Sequence, residues 1–424
     1  MFSKILLHFT FLSVLTTGVQ LVGHTQSSTP YFKGALKQNR DKFYNNAISS
    51  IKTNLSLPLN DTNEEYWINA LDAVNLLNYR SPFIISRVDH AVKNVSGRSN
   101  DFKKALVSLL HNQFPKKYAL QVKPLFRNIK DDVRLMAMAA NYIMPGAAAA
   151  DIKMMQQLVR QKLKTDPENA VLFQLNDQLE NWGKKRIMPS LQSFFSQDYL
   201  PGQVLVFSFQ RADRNFPGLS IVRKGDGSFI KNEDGSYFSV GQLARSISNM
   251  PGYISLGNTP QGIFRMDGFD TSKSYFIGPT TNVQLTMPFE YKASHFYQDS
   301  TFIDSVWLRE KYAELLPNNF KSYRPLFGTY YAGKAGRNEI ICHGTTIDPA
   351  YYKGTAYYPY TPTAGCLATK EFWNEKTGFH ESSDQLLLTR AVHDAGGPSG
   401  YLIVIELGPG ESPVTMTDIL RFLK

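Results

Sequence analysis

The sequence predicts an α+β multidomain protein, with an all-helical N-terminal domain followed by a β-rich C-terminal domain. Three observations predict it. Over 29–185, apolar residues recur at the three- and four-residue spacing of one helical face. Around 192–202 the character changes: 204–209 and 219–223 are short runs rich in valine, isoleucine, leucine and phenylalanine, bounded by turn residues. The length of 424 residues suits two or three domains. With 42% apolar and 13% aromatic residues, each domain can bury a core.

The chain opens with Lys4 and an apolar run from Ile5 to Val22, then polar residues at His24, Thr25 and Gln26. A short positive region, an apolar core and a polar end predict a secretion signal over 1–25 and an exported mature chain, with an N-terminal membrane anchor as the alternative. No cysteine stands near that boundary, so a lipid-modified anchor is not expected, and no other stretch is apolar long enough to span a bilayer.

A helical, repeat-like domain is expected over 26–195. Thr62-Asn63-Glu64-Glu65 reads as a capping box. Behind it Trp67, Ala70, Leu71 and Val74 share one helical face. Phe102, Ala105, Leu106 and Leu109 mark another helix; Val133, Met136, Ala137 and Ala140 mark a third, which Pro145-Gly146 ends. Asp166-Pro167 is expected to open a further helix, with aspartate as cap and proline at its first position. Short helices joined by brief turns suggest stacked antiparallel pairs, in the manner of HEAT or TPR repeats, without a strict period. Such a surface either binds a protein partner or braces the rest of the chain.

The β-rich domain is expected over 198–424. Lys224-Gly225-Asp226-Gly227 and Glu233-Asp234-Gly235 are tight-turn signals. Further strands are expected at 262–266, 282–289 and 401–407, and helices at 304–316 and 382–394. Glu339 to Cys342 reads as a short buried strand that delivers His343 to its end.

The formal charge of +10 suits an anionic wall or membrane surface, and equally solubility alone. There is no dense Lys/Arg run and no nucleic-acid motif, so no nucleic-acid partner is expected. No cofactor is implied.

Chemistry concentrates in two glycine-bounded turns, Ile340-Ile341-Cys342-His343-Gly344-Thr345 and Thr363-Ala364-Gly365-Cys366-Leu367. A thiol is a strong nucleophile only as thiolate, and a nearby imidazole can take its proton. Glycine before the cysteine lets backbone N–H groups approach an oxyanion. If 339–343 is extended, Ile341 and His343 share one face and Cys342 takes the other. Cys366 must then lie on the His343 side, which leaves Cys342 a buried core thiol rather than a disulfide partner. A metal site from Cys342, His343 and Cys366 is not expected, since adjacent strand residues diverge and no paired-ligand spacing appears.

These residues resemble the L,D-transpeptidase family, the YkuD-type catalytic domain of bacterial cell-wall enzymes. His343, Gly344 and Thr345 match its first element; Thr363, Gly365, Cys366 and Leu367 match its second. Gly257-Asn258-Thr259-Pro260-Gln261-Gly262-Ile263-Phe264 matches an upstream turn. The resemblance covers roughly the last half of the chain. It implies a periplasmic or cell-envelope enzyme acting on peptidoglycan stem peptides through a thioester. Cys366 would be the nucleophile and His343 the base. The N–H groups of Gly365 and Cys366 would form the oxyanion hole, and the Gly344 carbonyl would hold the ring of His343. Thr345, Thr363, Tyr358 and Tyr360 would line the substrate. Sensitivity to carbapenems is also implied. The motif residues leave L,D-carboxypeptidase or endopeptidase activity open, and likewise a decayed wall-binding scaffold. The chain departs from the family pattern at Ala364, where histidine or lysine is common, and at Ala368, where arginine or asparagine is. The His343–Cys366 interval is also longer than usual and carries Tyr351, Tyr352, Tyr357, Tyr358 and Tyr360. That loop is either a substrate wall or a surface loop pinned by its own rings. His380 and His393 are expected to be surface histidines.

Overall fold

The computed structural model describes residues 29–301 and 306–423. The secretion signal expected over 1–25 lies outside the described residues. The fold is α+β: helices dominate up to residue 180, and one large mixed sheet organises the rest. No helix among the described residues is long and apolar enough to cross a membrane.

Among the described residues eight α-helices come first: α1 (Lys37–Ser56), α2 (Glu64–Leu76), α3 (Pro82–Lys93), α4 (Asn100–Gln113), α5 (Ala119–Asn128), α6 (Val133–Ile143), α7 (Ala149–Thr165) and α8 (Ala170–Glu180). α2 packs on α1 and α4, while α6 packs on α4, α5 and α8. The apolar stripes read from the sequence do face inward: Trp67, Ala70, Leu71, Val74, Phe102, Leu106, Leu109, Met136 and Ala140 are all buried in one core. Local caps explain several boundaries. The Ser81, Ser99, Asp132 and Asn169 side chains each accept the N–H three residues on.

Two of the expected caps are displaced. Thr62 does not cap α2. Asn63 takes that position, because the Asn60 side chain accepts the Asn63 N–H at 3.0 Å and sets a turn just before the helix. Asp166 ends α7 rather than opening α8, whose cap is Asn169; the Asn169 amide in turn donates to Asp166 at 2.8 Å.

The sheet contains β1 (Val204–Arg211), β2 (Gly218–Arg223), β3 (Val240–Gln242), β4 (Gly262–Asp270), β5 (Asn282–Thr286), β6 (Ile341–His343), β7 (Leu367–Ala368) and β10 (Gly400–Leu407); β8 (Glu371–Trp373) and β9 (His380–Ser383) form a separate hairpin. The order is β3-β2-β1-β10-β4-β5-β6-β7. Its two edges meet: Leu243, just past β3, exchanges hydrogen bonds of 2.7 and 2.9 Å with Ala368 of β7. The sheet thereby curls into a near-barrel and leaves neither edge open there. Phe207, Phe209, Ile263 and Ile403 face one core; Val206, Phe264, Val283, Leu367 and Leu402 face the other. Helix α9 (Gly328–Lys334) covers β4, and α10 (Asp384–Asp394) sets Leu388, Ala391 and Val392 into the second core. The helix expected over 304–316 is shorter, Arg309–Glu314, and part of its expected start lies outside the described residues.

The helical layer grips one segment of the β half closely. Met250, Tyr253 and Ile254 are buried in the helical core. The guanidinium of Arg134 donates to the Ser255 carbonyl at 2.9 Å, and the Asn141 amide to the Tyr253 hydroxyl at 2.9 Å. Arg245 donates to the Asn112 side chain at 2.7 Å, and His111 Nδ1 lies 3.0 Å from the Ser248 carbonyl. The segment 245–258 is therefore bolted to α4, α6 and their core. It runs straight into the Gly257–Phe264 motif.

Candidate active site

β6 and β7 run parallel, with Cys342 opposite Leu367 and His343 opposite Ala368. One step back, Ile341 lies beside Cys366. Paired residues in such a ladder point to the same face and neighbours alternate. Cys342 and Leu367 thus share the second core and His343 faces away from it, while Cys366 stands one residue before β7, outside the ladder. The strand is shorter than expected, however. Glu339 is left-handed (φ 58°), its N–H held by the Glu290 carboxylate at 2.6 Å, so extension begins only after it.

Cys342 is a core thiol. It is fully buried, takes a 3.0 Å hydrogen bond from the Gln242 amide, and burial pushes it up to about 12. Both cysteines are free. Cys366 is only partly buried; the Ile341 N–H points at its sulfur at 3.5 Å, and the sulfur lies 3.8 Å from the Glu339 carbonyl. Burial pushes the Cys366 thiol up to about 11, against the Ile341 N–H and the Arg337 charge, which pull it down.

His343 is 3% exposed, and its Nδ1 bonds the Gly344 carbonyl. That contact fixes the tautomer with the proton on Nδ1 and leaves Nε2 as the unprotonated nitrogen. Burial lowers the His343 pKa, while the Gly344 carbonyl and the Glu371 carboxylate oppose the shift. At neutral pH the resting pair is therefore an uncharged thiol and an uncharged imidazole. No hydrogen bond joins Cys366 to His343 among the described residues; proton transfer would accompany attack rather than precede it.

The glycines are where the backbone is crowded. Gly365 has φ 128°, and a Cβ there would run into the Arg337 guanidinium and reach 2.6 Å from the Gly257 carbonyl. A Cβ on Gly344 would collide with the Glu371 carboxylate. Of the two expected oxyanion donors, only the Cys366 N–H is unengaged among the described residues. The Gly365 N–H is spent on the Thr363 hydroxyl at 3.0 Å, which itself donates to the Cys366 carbonyl at 2.9 Å.

That internal bonding revises the roles expected of two threonines. Thr363 is 7% exposed and shapes the loop that carries Cys366. Thr345 is 2% exposed; its N–H donates to Glu371 at 2.9 Å and its hydroxyl accepts from Thr361 at 2.8 Å. Both hydroxyls are thus engaged in bonds within the protein, and both side chains are buried. Of the tyrosines, Tyr360 packs its hydroxyl against Gly241, and Tyr358 is 43% exposed. Tyr352 and Tyr357 are buried; Tyr352 donates to the Leu76 carbonyl at 2.6 Å, and Arg245 stacks over Tyr357 at 4.6 Å. Most of the loop is pinned by its own rings and by the helical layer. Ala368 is buried at the sheet closure, where the Leu243 backbone lies against it.

Three participants have no signal in the sequence. Glu371 is a buried carboxylate bonded by Thr345 N–H and by the Ser383 hydroxyl at 2.6 Å. His380 is not a surface residue: its ring stacks on Trp373 at 3.9 Å and its Nε2 lies 3.3 Å from Glu371. His393 is exposed, as expected. Arg337 is 4% exposed. No cluster of three or more His, Cys, Asp or Glu suited to a metal occurs among the described residues.

Comparison of the chain with protein-family profiles, with characterised proteins and with solved structures finds no match.

Proposed function

We propose that the chain is an exported, cysteine-dependent L,D-transpeptidase of the cell envelope, acting on peptidoglycan stem peptides. In this reading the C-terminal half is an L,D-transpeptidase-like catalytic domain, and the helical half is a repeat-like domain that braces it. The observation that carries the reading is that β6, which ends in His343, runs parallel to β7, which begins one residue after Cys366, with His343 Nδ1 held by Gly344 and Nε2 left as base. The three motifs that resemble the family also converge: the Thr259 hydroxyl of the upstream motif donates to the Gly365 carbonyl at 2.9 Å.

The steps follow from those groups. Cys366 attacks the carbonyl of the third stem residue as His343 Nε2 accepts the thiol proton; the carbon–sulfur bond forms and the carbonyl electron pair moves to oxygen. The Cys366 N–H faces that oxyanion. Collapse breaks the amide bond, and His343 returns the proton to the departing D-amino acid. An acceptor amine, losing its proton to His343, then displaces sulfur and forms the new amide. With water as acceptor the same site is an L,D-carboxypeptidase.

Incubation with purified stem tetrapeptides tests the reading. Mass spectrometry is expected to show cross-linked dimers with loss of the terminal D-amino acid, absent with Cys366→Ala. Trimmed tripeptide alone would make it a hydrolase, and no product from folded protein would overturn it.

A further inference from the structure

Arg337 is an unusual cation. It is 4% exposed and has no carboxylate partner among the described residues. A buried guanidinium needs its donors satisfied, and here backbone carbonyls do it. Nη1 donates to the carbonyls of Gly252 and Asn258, the latter at 2.6 Å; Nη2 donates to Gly257 at 2.6 Å and reaches Gly365 at 3.5 Å. Three of these carbonyls lie on the turn that the helical layer grips, and the fourth belongs to the Gly365–Cys366 peptide. The same Gly365 carbonyl accepts the Thr259 hydroxyl. Gly365 has no side chain where the guanidinium sits, so the charge rests directly against that peptide.

A charge and a hydroxyl on a carbonyl oxygen polarise the whole amide, so that its N–H becomes a stronger donor. Among the described residues the N–H of this peptide is an unengaged donor beside Cys366. The positive charge also lies close enough to the sulfur to favour its anion.

We infer that Arg337 is a positioning residue of the site: its buried charge, laid on the Gly365–Cys366 peptide together with the Thr259 hydroxyl, strengthens the Cys366 N–H as oxyanion donor and favours the Cys366 thiolate. The inference rests on the reading of Cys366 as nucleophile. Burial lowers Arg337 only to about 10, so it stays charged at neutral pH. The other ionisable groups bearing on the pair are Glu290 and Glu339, which oppose the thiolate, and Arg134 and Cys342. Among the described residues Arg337 is thus the charge that favours the anion.

The test is the pH dependence of iodoacetamide alkylation at Cys366, followed by peptide mapping, beside the rate of carbapenem acylation. Arg337→Met is expected to raise the alkylation midpoint by about one unit or more, the usual effect of losing an adjacent opposite charge. Thr259→Val keeps the charge and is expected to leave the midpoint in place while slowing acylation about tenfold, a fraction of a full oxyanion donor. Folded Arg337→Met with an unmoved midpoint would overturn the inference. Should that variant not fold, Arg337→Lys decides. An ammonium keeps the charge but cannot span four carbonyls, so slowed acylation at an unmoved midpoint supports the inference and wild-type acylation overturns it. Loss of stem-peptide products with a normal thiol profile would instead count against the proposed reaction alone.

Discussion

The hydroxyl of Thr259 donates to the carbonyl of Gly365 across 106 positions of sequence. That bond ties the turn held by the helical layer to the loop that presents Cys366. Together with the four-carbonyl clasp of Arg337, it makes the helical half part of how the thiol is positioned. Several testable consequences attach to this arrangement.

The two thiols are expected to behave oppositely. Cys342 is buried, hydrogen-bonded by Gln242 and held up to about 12, whereas Cys366 is partly open. Iodoacetamide on native protein should label Cys366 first and leave Cys342 unlabelled until unfolding. Equal labelling, or a Cys342–Cys366 disulfide in active protein, would contradict the burial of Cys342 in the core.

Glu371 should tune the base. Its carboxylate raises the His343 pKa against burial, so removing the charge with Glu371→Gln leaves the imidazole less basic. The acid limb of the pH–acylation profile should therefore move to lower pH. Loss of one acceptor for the Thr345 N–H or the Ser383 hydroxyl should also cost about 1–3 kcal/mol of stability. A limb that stays put or moves upward would show that Glu371 does not bear on His343.

Helices and their faces were legible because burial follows the three-four period: Trp67, Ala70, Leu71 and Val74 are all buried where that period puts them. The opposite faces of Cys342 and His343 were legible for the same kind of reason, period two in a strand. Boundaries were less so, since they turn on single side chains such as Asn60 and Asn169 that compete with neighbours equally suited to capping. The curl of the sheet through Leu243 and Ala368 was not legible, because it is a contact between distant backbones with no side-chain signature. Arg337, Glu371 and His380 were hidden likewise. A lone arginine, glutamate or histidine in sequence reads as surface, and only the tertiary fold buries them.

His111 predicts an acid sensitivity at the junction of the two halves. Burial lowers its pKa from 6.5 to about 4, with the Ser248 carbonyl opposing and the Arg245 charge assisting. The folded value lies below the unfolded one, so the stabilisation is fully present above about pH 6.5 and is lost as pH falls toward 4. At most about 3 kcal/mol is involved. Urea titrations at pH 7.5 and 4.5 should show a larger loss for wild type than for His111→Gln; equal losses would contradict it.

The most direct measurement is the intact mass of the purified protein after incubation with a carbapenem, with peptide mapping of the modified residue. On the proposed reading, a thiol served by a base and an oxyanion donor should open the strained lactam. Wild type is predicted to gain one adduct, located on Cys366; Cys366→Ser should gain little or none, because a serine hydroxyl is far less acidic. His343→Ala should acylate slower by about two to four orders of magnitude, the usual range for a general base. Folded wild-type protein that forms no adduct, or forms one at Cys342, would contradict the account.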